Sequence, residues 1–230
     1  MLDRRPLLAG LLLGCLVYKP QFALVIPLLL IVTRQWRAIL GAAASSLALI
    51  GLTYAIWGWP VWQAFLDSLP LTRTVVVERG DNGWEKIMSP FSAARSWGMA
   101  VGPAYAVQAA ASVAAIGATL VLAWNGRPAL RNAATAAAVL ISTPYVLKYD
   151  YVVLLLGIGF LWKHGAEHGW GRWEKSLLAL AWFAPLFARA LASATLIPLG
   201  LLSAILVLGI ALYRSFKASP SRHSRAASAQ

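Results

Sequence analysis

The chain is expected to be an all-α, polytopic integral membrane protein, and three observations lead there. Apolar residues fill 60% of its 230 positions at a mean hydropathy of +0.67, more than a soluble core of this size needs. The apolar residues come in long runs. The basic residues, which give a formal net charge of +12, collect at the ends of those runs, as they do in membrane proteins oriented by the positive-inside rule. The single cysteine, Cys15, excludes an intrachain disulfide and carries no other information.

Eight apolar runs follow one another: Leu7–Tyr18, Phe22–Thr33, Ala38–Trp57, Val101–Trp124, Ala133–Leu147, Tyr151–Trp162, Leu177–Ala188 and Thr195–Tyr213. Met1–Arg5 followed by Leu7–Val17 has the outline of a signal peptide. Lys-Pro-Gln stands where a small-residue cleavage site belongs, so the run reads as an uncleaved first segment. Gly10 and Gly14 in it form a G-x-x-x-G pattern suited to close helix packing. Ala38–Trp57 and Val101–Trp124 have 20 and 24 residues, enough to cross a hydrocarbon core about 30 Å thick. Several of the others have 12, and a helix of that length reaches only about 18 Å. They occur in consecutive pairs with a polar break between: Tyr18-Lys19-Pro20-Gln21, Lys148-Tyr149-Asp150, and Arg189. Three broken hairpins are the expectation.

Charge supports this topology. Arg4, Arg5, Arg34, Arg37, Arg127, Arg131, Lys163, Arg172, Lys175, Arg214, Lys217, Arg222 and Arg225 stand at the outer ends of the pairs, which is 13 of the 20 basic residues on one side. The loop between the two full spans balances Arg73, Arg79, Lys86 and Arg95 with Asp67, Glu78, Asp81 and Glu85, which suits the non-cytoplasmic side. Both termini are then cytoplasmic, in the cell's inner, plasma membrane. Joining each pair into one helix would instead distribute basic loops over both faces. Trp36, Trp57, Trp59, Trp124 and Trp162 mark segment ends as an interfacial belt does.

The domain reading is a transmembrane domain over 1–217, with an extracytoplasmic loop over 58–98, and a basic tail over 218–230. That loop opens with Pro60–Leu69, whose apolar residues recur at helical spacing along the outer membrane surface. The tail of Ser, Ala and Arg has nothing to bury and is expected to be disordered and cytoplasmic.

Charged groups inside such runs carry the functional signal. A charge at the helix centre costs about 2.5 to 3.5 kcal/mol on insertion scales, so Lys19, Lys148, Asp150 and Arg189 must meet protein, water or a charged ligand. Pro20 frees carbonyls that are tolerated at depth only in a cavity or inside protein. A polar cavity opening on the outer side is expected, with a lysine and an arginine suited to a phosphate group. The alternatives are a snorkelling Lys19 over a simple kink, a local ion pair among Lys148, Tyr149 and Asp150, and an interface anchor at Arg189.

The stretches "GLLLGCLVYKPQFALVIPLLLIVTRQWRA", "WPVWQAFLDSLP" and "STPYVLKYDYVVLLLGIGFLW" resemble the C-terminal half of glycosyltransferase family 87, polytopic mannosyltransferase-like enzymes of the GT-C class, from about Gly10 to Tyr213. Tyr-Lys-Pro-Gln is the most specific element, and Tyr149-Asp150 a weaker one. The resemblance implies a GT-C-like fold that transfers a hexose, mannose in the first instance, from a polyprenyl-phosphate donor to an acceptor hydroxyl at the outer face. It places substrate contacts at Tyr18, Lys19, Gln21, Lys148, Tyr149 and Arg189, with Lys19, Gln21 and Arg189 on the donor phosphate and the lipid chain between helices. Acid–base transfer needs a carboxylate near the acceptor, and Asp150 is the intramembrane candidate.

The family's catalytic acidic residue lies in a first outer loop upstream of the matched region. The expectation is therefore a truncated gene, a start placed too late, or an N-terminal half supplied by a partner subunit. The bilayer is the other partner expected, and nucleic acid is not one. A transporter or lipid-binding subunit is the rival reading, since broken helices with charged tips also build transporter sites. His164-Gly-Ala-Glu167-His168 spells a metalloprotease pattern, but Gly165 and Gly169 weaken the helix and no third ligand stands out, so no metal site is expected. No cofactor motif is evident, and a divalent-cation requirement is left open.

Overall fold

Residues 2, 4–124 and 126–217 are described by the computed structural model; the tail expected to be disordered, 218–230, lies outside them. Pro6 begins α1 (Pro6–Gly14) at the first helical turn, where its missing N–H costs nothing. After a 3-10 turn over Cys15–Tyr18 the helix stops at Lys19, which has φ −125° and ψ 75°. The residue before a proline is pushed out of the α region by the pyrrolidine ring, so Pro20 dictates the break. A second 3-10 turn, Pro20–Leu24, leads into α2 (Val25–Val32).

The next helix, α3 (Trp36–Leu71), establishes which way this pair runs. Gly41 of α3 sits against Leu7 and Leu11, and Gly14 of α1 sits against Ala42 and Ser45. The hydroxyl of Ser46 donates to the carbonyl of Gly14 at 3.0 Å. Numbers rise together along both helices, so α1 and α3 are parallel and α2 must return the chain between them. The expected broken hairpin is present. A Cβ on Gly10 or Gly14 would run into the backbone of Ala38 or Ala42, which is the close packing G-x-x-x-G permits.

Gly58, at φ 69° and ψ −174°, bends α3; a positive φ there suits a residue without a Cβ. A wide turn over Thr72–Glu78, a 3-10 turn over Trp84–Lys86 and the short α4 (Pro90–Ser96) lead to α5 (Val101–Trp124). Then come α6 (Pro128–Ile141), a 3-10 turn over Lys148–Tyr151, α7 (Val152–His168), α8 (Glu174–Thr195) and α9 (Leu199–Lys217). Among the described residues four helices, namely α3 with its following turn, α5, α8 and α9, are long and apolar enough to cross a membrane. The chain is an all-α membrane protein. Leu40, Leu47, Leu52 and Ile56 of α3 are exposed, as lipid-facing side chains are.

Alanine-rich α6 is the centre of the packing. Its Ala133, Ala134, Ala137 and Ala138 are fully buried, and it packs against α5, α7 and α9. Fourteen residues reach about 21 Å, too short to cross alone, and the neighbouring helices shield its ends. A Cβ on Gly157 of α7 would press on the carbonyl of Ala133, and α6 and α7, which follow one another around the Lys148–Tyr151 turn and pack together, form the second hairpin.

The third pair differs from the expectation. Helix α8 continues unbroken through Arg189 for 22 residues, and the chain turns only at Leu196, with φ 60°. Both α8 and α9 are full-length spans. Apart from the N–H that Pro185 lacks, a helix carried through Arg189 keeps its backbone bonded within the segment, which outweighs one exposed guanidinium; Arg189 does not mark a break.

The two ends of the bundle are chemically distinct. At one end Arg127 donates to the carbonyls of Arg214 and Ser215, each at 3.2 Å. Arg214 pairs with Glu174 at 2.7 Å and also donates to the Gly169 carbonyl. The start of α6, the end of α7, the start of α8 and the end of α9 are thereby tied together.

Candidate functional site

At the opposite end the tips of the hairpins meet beneath the 84–100 segment. Ser89 caps α4: its Oγ accepts from the Ser92 amide at 3.1 Å, while the Ser92 hydroxyl accepts from the Ser89 amide at 3.1 Å. Just before the cap, Met88 N donates to Val146 O at 2.9 Å, beside an antiparallel bridge between Ile87 and Leu147. Ser89 Oγ donates to Pro144 O at 2.8 Å, and the Tyr151 hydroxyl donates to Met88 O at 3.0 Å. Buried Gln108 of α5 adds a link, accepting from Phe91 N at 3.1 Å and donating to Ile141 O at 2.9 Å. Three consecutive positions of the loop, Ile87, Met88 and Ser89, thus hold the second tip in place directly, and Phe91 does so through Gln108. The Ser-Pro pair at 89–90, an N-cap followed by a proline at the first helical position, was a readable signal for α4. Gln108 carried none.

Lys19 of the first tip reaches Asp150 of the second and forms an ion pair with it, although 131 residues separate them. The other carboxylate oxygen, Oδ2, accepts from the Leu147 amide at 2.9 Å. The ammonium also lies 4.4 Å from the centre of the Tyr149 ring and 5.6 Å from that of Phe22, distances at which a cation is attracted to the ring face. Asp150's ion-pair partner is therefore remote in the chain, and among the described residues Lys148 is not paired with it.

The side chains of Lys19 and Asp150 are 18% and 3% exposed, so they close on one another instead of facing an open, wet cavity. The ammonium's charge is met here by a carboxylate, without which it would be a costly uncompensated charge. Two hollows are lined by residues of the hairpins and the loop. One, of about 600 Å³, runs between the first two hairpins from Leu16 and Phe22 to Arg131. The other is an open trough of about 470 Å³ lined by Leu69, Arg73, Tyr105 and Tyr145. Beside it Glu78 accepts from Arg73 at 2.7 Å and from the Tyr105 hydroxyl at 3.1 Å.

The structure brings together Lys19, Tyr149 and Asp150 of the expected site residues. Gln21, half-buried, and Tyr18, 71% exposed, are their neighbours in the chain. Lys148 turns away, lining a crevice of about 150 Å³ with Tyr151, Trp182 and Pro185 between α7 and α8. Arg189 is exposed on α8, and among the described residues no hydrogen bond or ion pair joins it to the others. His164 and His168 stack at 4.4 Å near the basic end, with His168 Nδ1 at 3.1 Å from the His164 carbonyl. Among the described residues no group of three His, Cys, Asp or Glu is gathered.

No curated protein and no solved structure matches the chain. The model of glycosyltransferase family 87 matches residues 1–147. That match reaches the first residue and includes Tyr18–Gln21, and it stops before Lys148, Tyr149 and Asp150.

Proposed function

This chain belongs to glycosyltransferase family 87, and we propose that it serves as a membrane glycosyltransferase transferring a hexose, mannose in the first instance, from a polyprenyl-phosphate donor to an acceptor hydroxyl. The reaction takes place at the outer face of the plasma membrane, with the basic end of the bundle cytoplasmic. The observation that supports it is the convergence of Lys19 and Asp150 from two hairpin tips at one point under the outer loop.

The donor phosphate exchanges partners with that pair. Its oxygens take over the Lys19 ammonium, helped by the Gln21 amide, and Asp150 is released from its ion pair while the Leu147 amide still orients it. The acceptor enters over the second tip, its oxygen attacks the anomeric carbon, and the bond from that carbon to the phosphate oxygen breaks. Asp150 receives the hydroxyl proton. Polyprenyl phosphate leaves with its charge held by Lys19, which stabilises the leaving group more in a partly dry site than in water. Arg189, exposed on α8, and Lys148, turned toward the crevice between α7 and α8, act on lipid headgroups rather than on the reacting centre.

Transfer from polyprenyl-phosphate mannose, measured in native membranes, tests this. Asp150→Asn is expected to lower kcat by about 10²-fold or more, and Lys19→Ala to raise KM for the donor. Wild-type turnover by both variants at equal protein level overturns the assignment.

A further inference from the structure

The 600 Å³ hollow between α1–α2 and α6–α7 is walled by leucines, Phe22 and Phe160, and its polar lining is confined to one end: Arg131, Asn132 and Thr135, in the opening turns of α6. Arg131 is only 8% exposed. Its Nε donates to Asn132 Oδ1 at 3.2 Å, and among the described residues no carboxylate pairs with it. A guanidinium that is nearly buried and lacks a counter-charge is costly, and this one adds to the partial positive charge at the start of α6. Leu12 and Leu156, 55% and 62% exposed on the rim, leave the hollow open sideways to the bilayer.

We infer that this hollow is a binding site for one anionic phospholipid of the basic-side leaflet, with the phosphate on Arg131 and an acyl chain along the leucine wall. Charge complementarity selects the occupant. A neutral lipid would leave the guanidinium uncompensated, whereas a headgroup with net negative charge would satisfy both its charge and its free donors. The site lies at the opposite end of the hollow from Lys19, so it is distinct from the proposed donor-phosphate site and does not depend on the transfer reaction.

The test uses the full chain in detergent, native mass spectrometry, and equal amounts of phosphatidylglycerol and phosphatidylcholine with identical chains. Wild type is expected to retain one phosphatidylglycerol in about tenfold preference, and Arg131→Gln to lose that preference. Retention of the two lipids in equal amounts by wild type overturns the inference without any variant being needed. A preference that persists in Arg131→Gln also overturns it. So does stoichiometric displacement of phosphatidylglycerol by added polyprenyl phosphate, which would assign the hollow to the donor. No sugar is transferred in this measurement, so its outcome is separate from that of the catalytic assignment.

Discussion

Lys19 and Asp150 show what one residue can and cannot announce. Each is costly at depth, and that cost is visible in the sequence as a charge inside an apolar run. Their mutual contact is not, because it depends on where two hairpin tips end up. Removing one partner of a buried pair costs about 3 to 5 kcal/mol, and the 18% exposure of Lys19 places this pair at or below the lower end. Thermal unfolding in detergent should therefore show Lys19→Ala and Asp150→Ala each losing stability. The exchanged pair, Lys19→Asp with Asp150→Lys, should recover most of that loss and none of the transfer activity. An exchanged pair that transfers sugar at the wild-type rate would reduce the two residues to a structural tie. Arg131 is the converse case: in sequence it is one more basic residue at a segment end, and only its burial beside the hollow sets it apart.

Among the elements, the first hairpin was the most legible, because Pro20 constrains Lys19 locally and the glycine spacing lies within one short helix. The third hairpin was misread: Arg189 looked like a break, yet α8 runs through it, since one exposed cation costs less than opened backbone bonds in lipid. Gly14→Leu should disturb the seam between α1 and α3, where its side chain would have to enter the Ala42 backbone. Overpacking of this kind costs about 1 to 3 kcal/mol, and a shift to earlier elution or aggregation in detergent gel filtration would report it. Ser89→Ala removes both the cap of α4 and the hydroxyl bond to Pro144. A cap contributes about 1 kcal/mol, so a modest loss of thermal stability is expected, accompanied by weaker transfer if α4 holds the second tip for catalysis. Unchanged stability would mean that the loop is not held there.

Over the whole molecule the two ends have different chemistry, and this yields a topological prediction. In a Cys15→Ala background, a cysteine at Asp81 should react with a membrane-impermeant thiol reagent added outside intact cells, and one at Arg172 only after permeabilisation. The reverse pattern would invert the chain. The basic end is also a mechanical tie: Glu174→Gln leaves Arg214, 11% exposed in its side chain, without its carboxylate, and should lower the unfolding temperature more than Glu167→Gln, whose pair with Lys163 spans 3.8 Å between exposed groups.

Apolar run length, proline and glycine positions and the bias of basic residues determined, from the sequence alone, the all-α membrane class, the first two broken hairpins and which residues bear a cost that must be met. These are local or compositional properties, readable within a few turns of helix. Only the tertiary structure decided that Asp150 is the partner of Lys19, that the 84–100 segment holds the second tip, and that Arg131 closes one end of an apolar hollow. Each of these depends on segments far apart in the chain arriving at one place, and no local propensity encodes that distance.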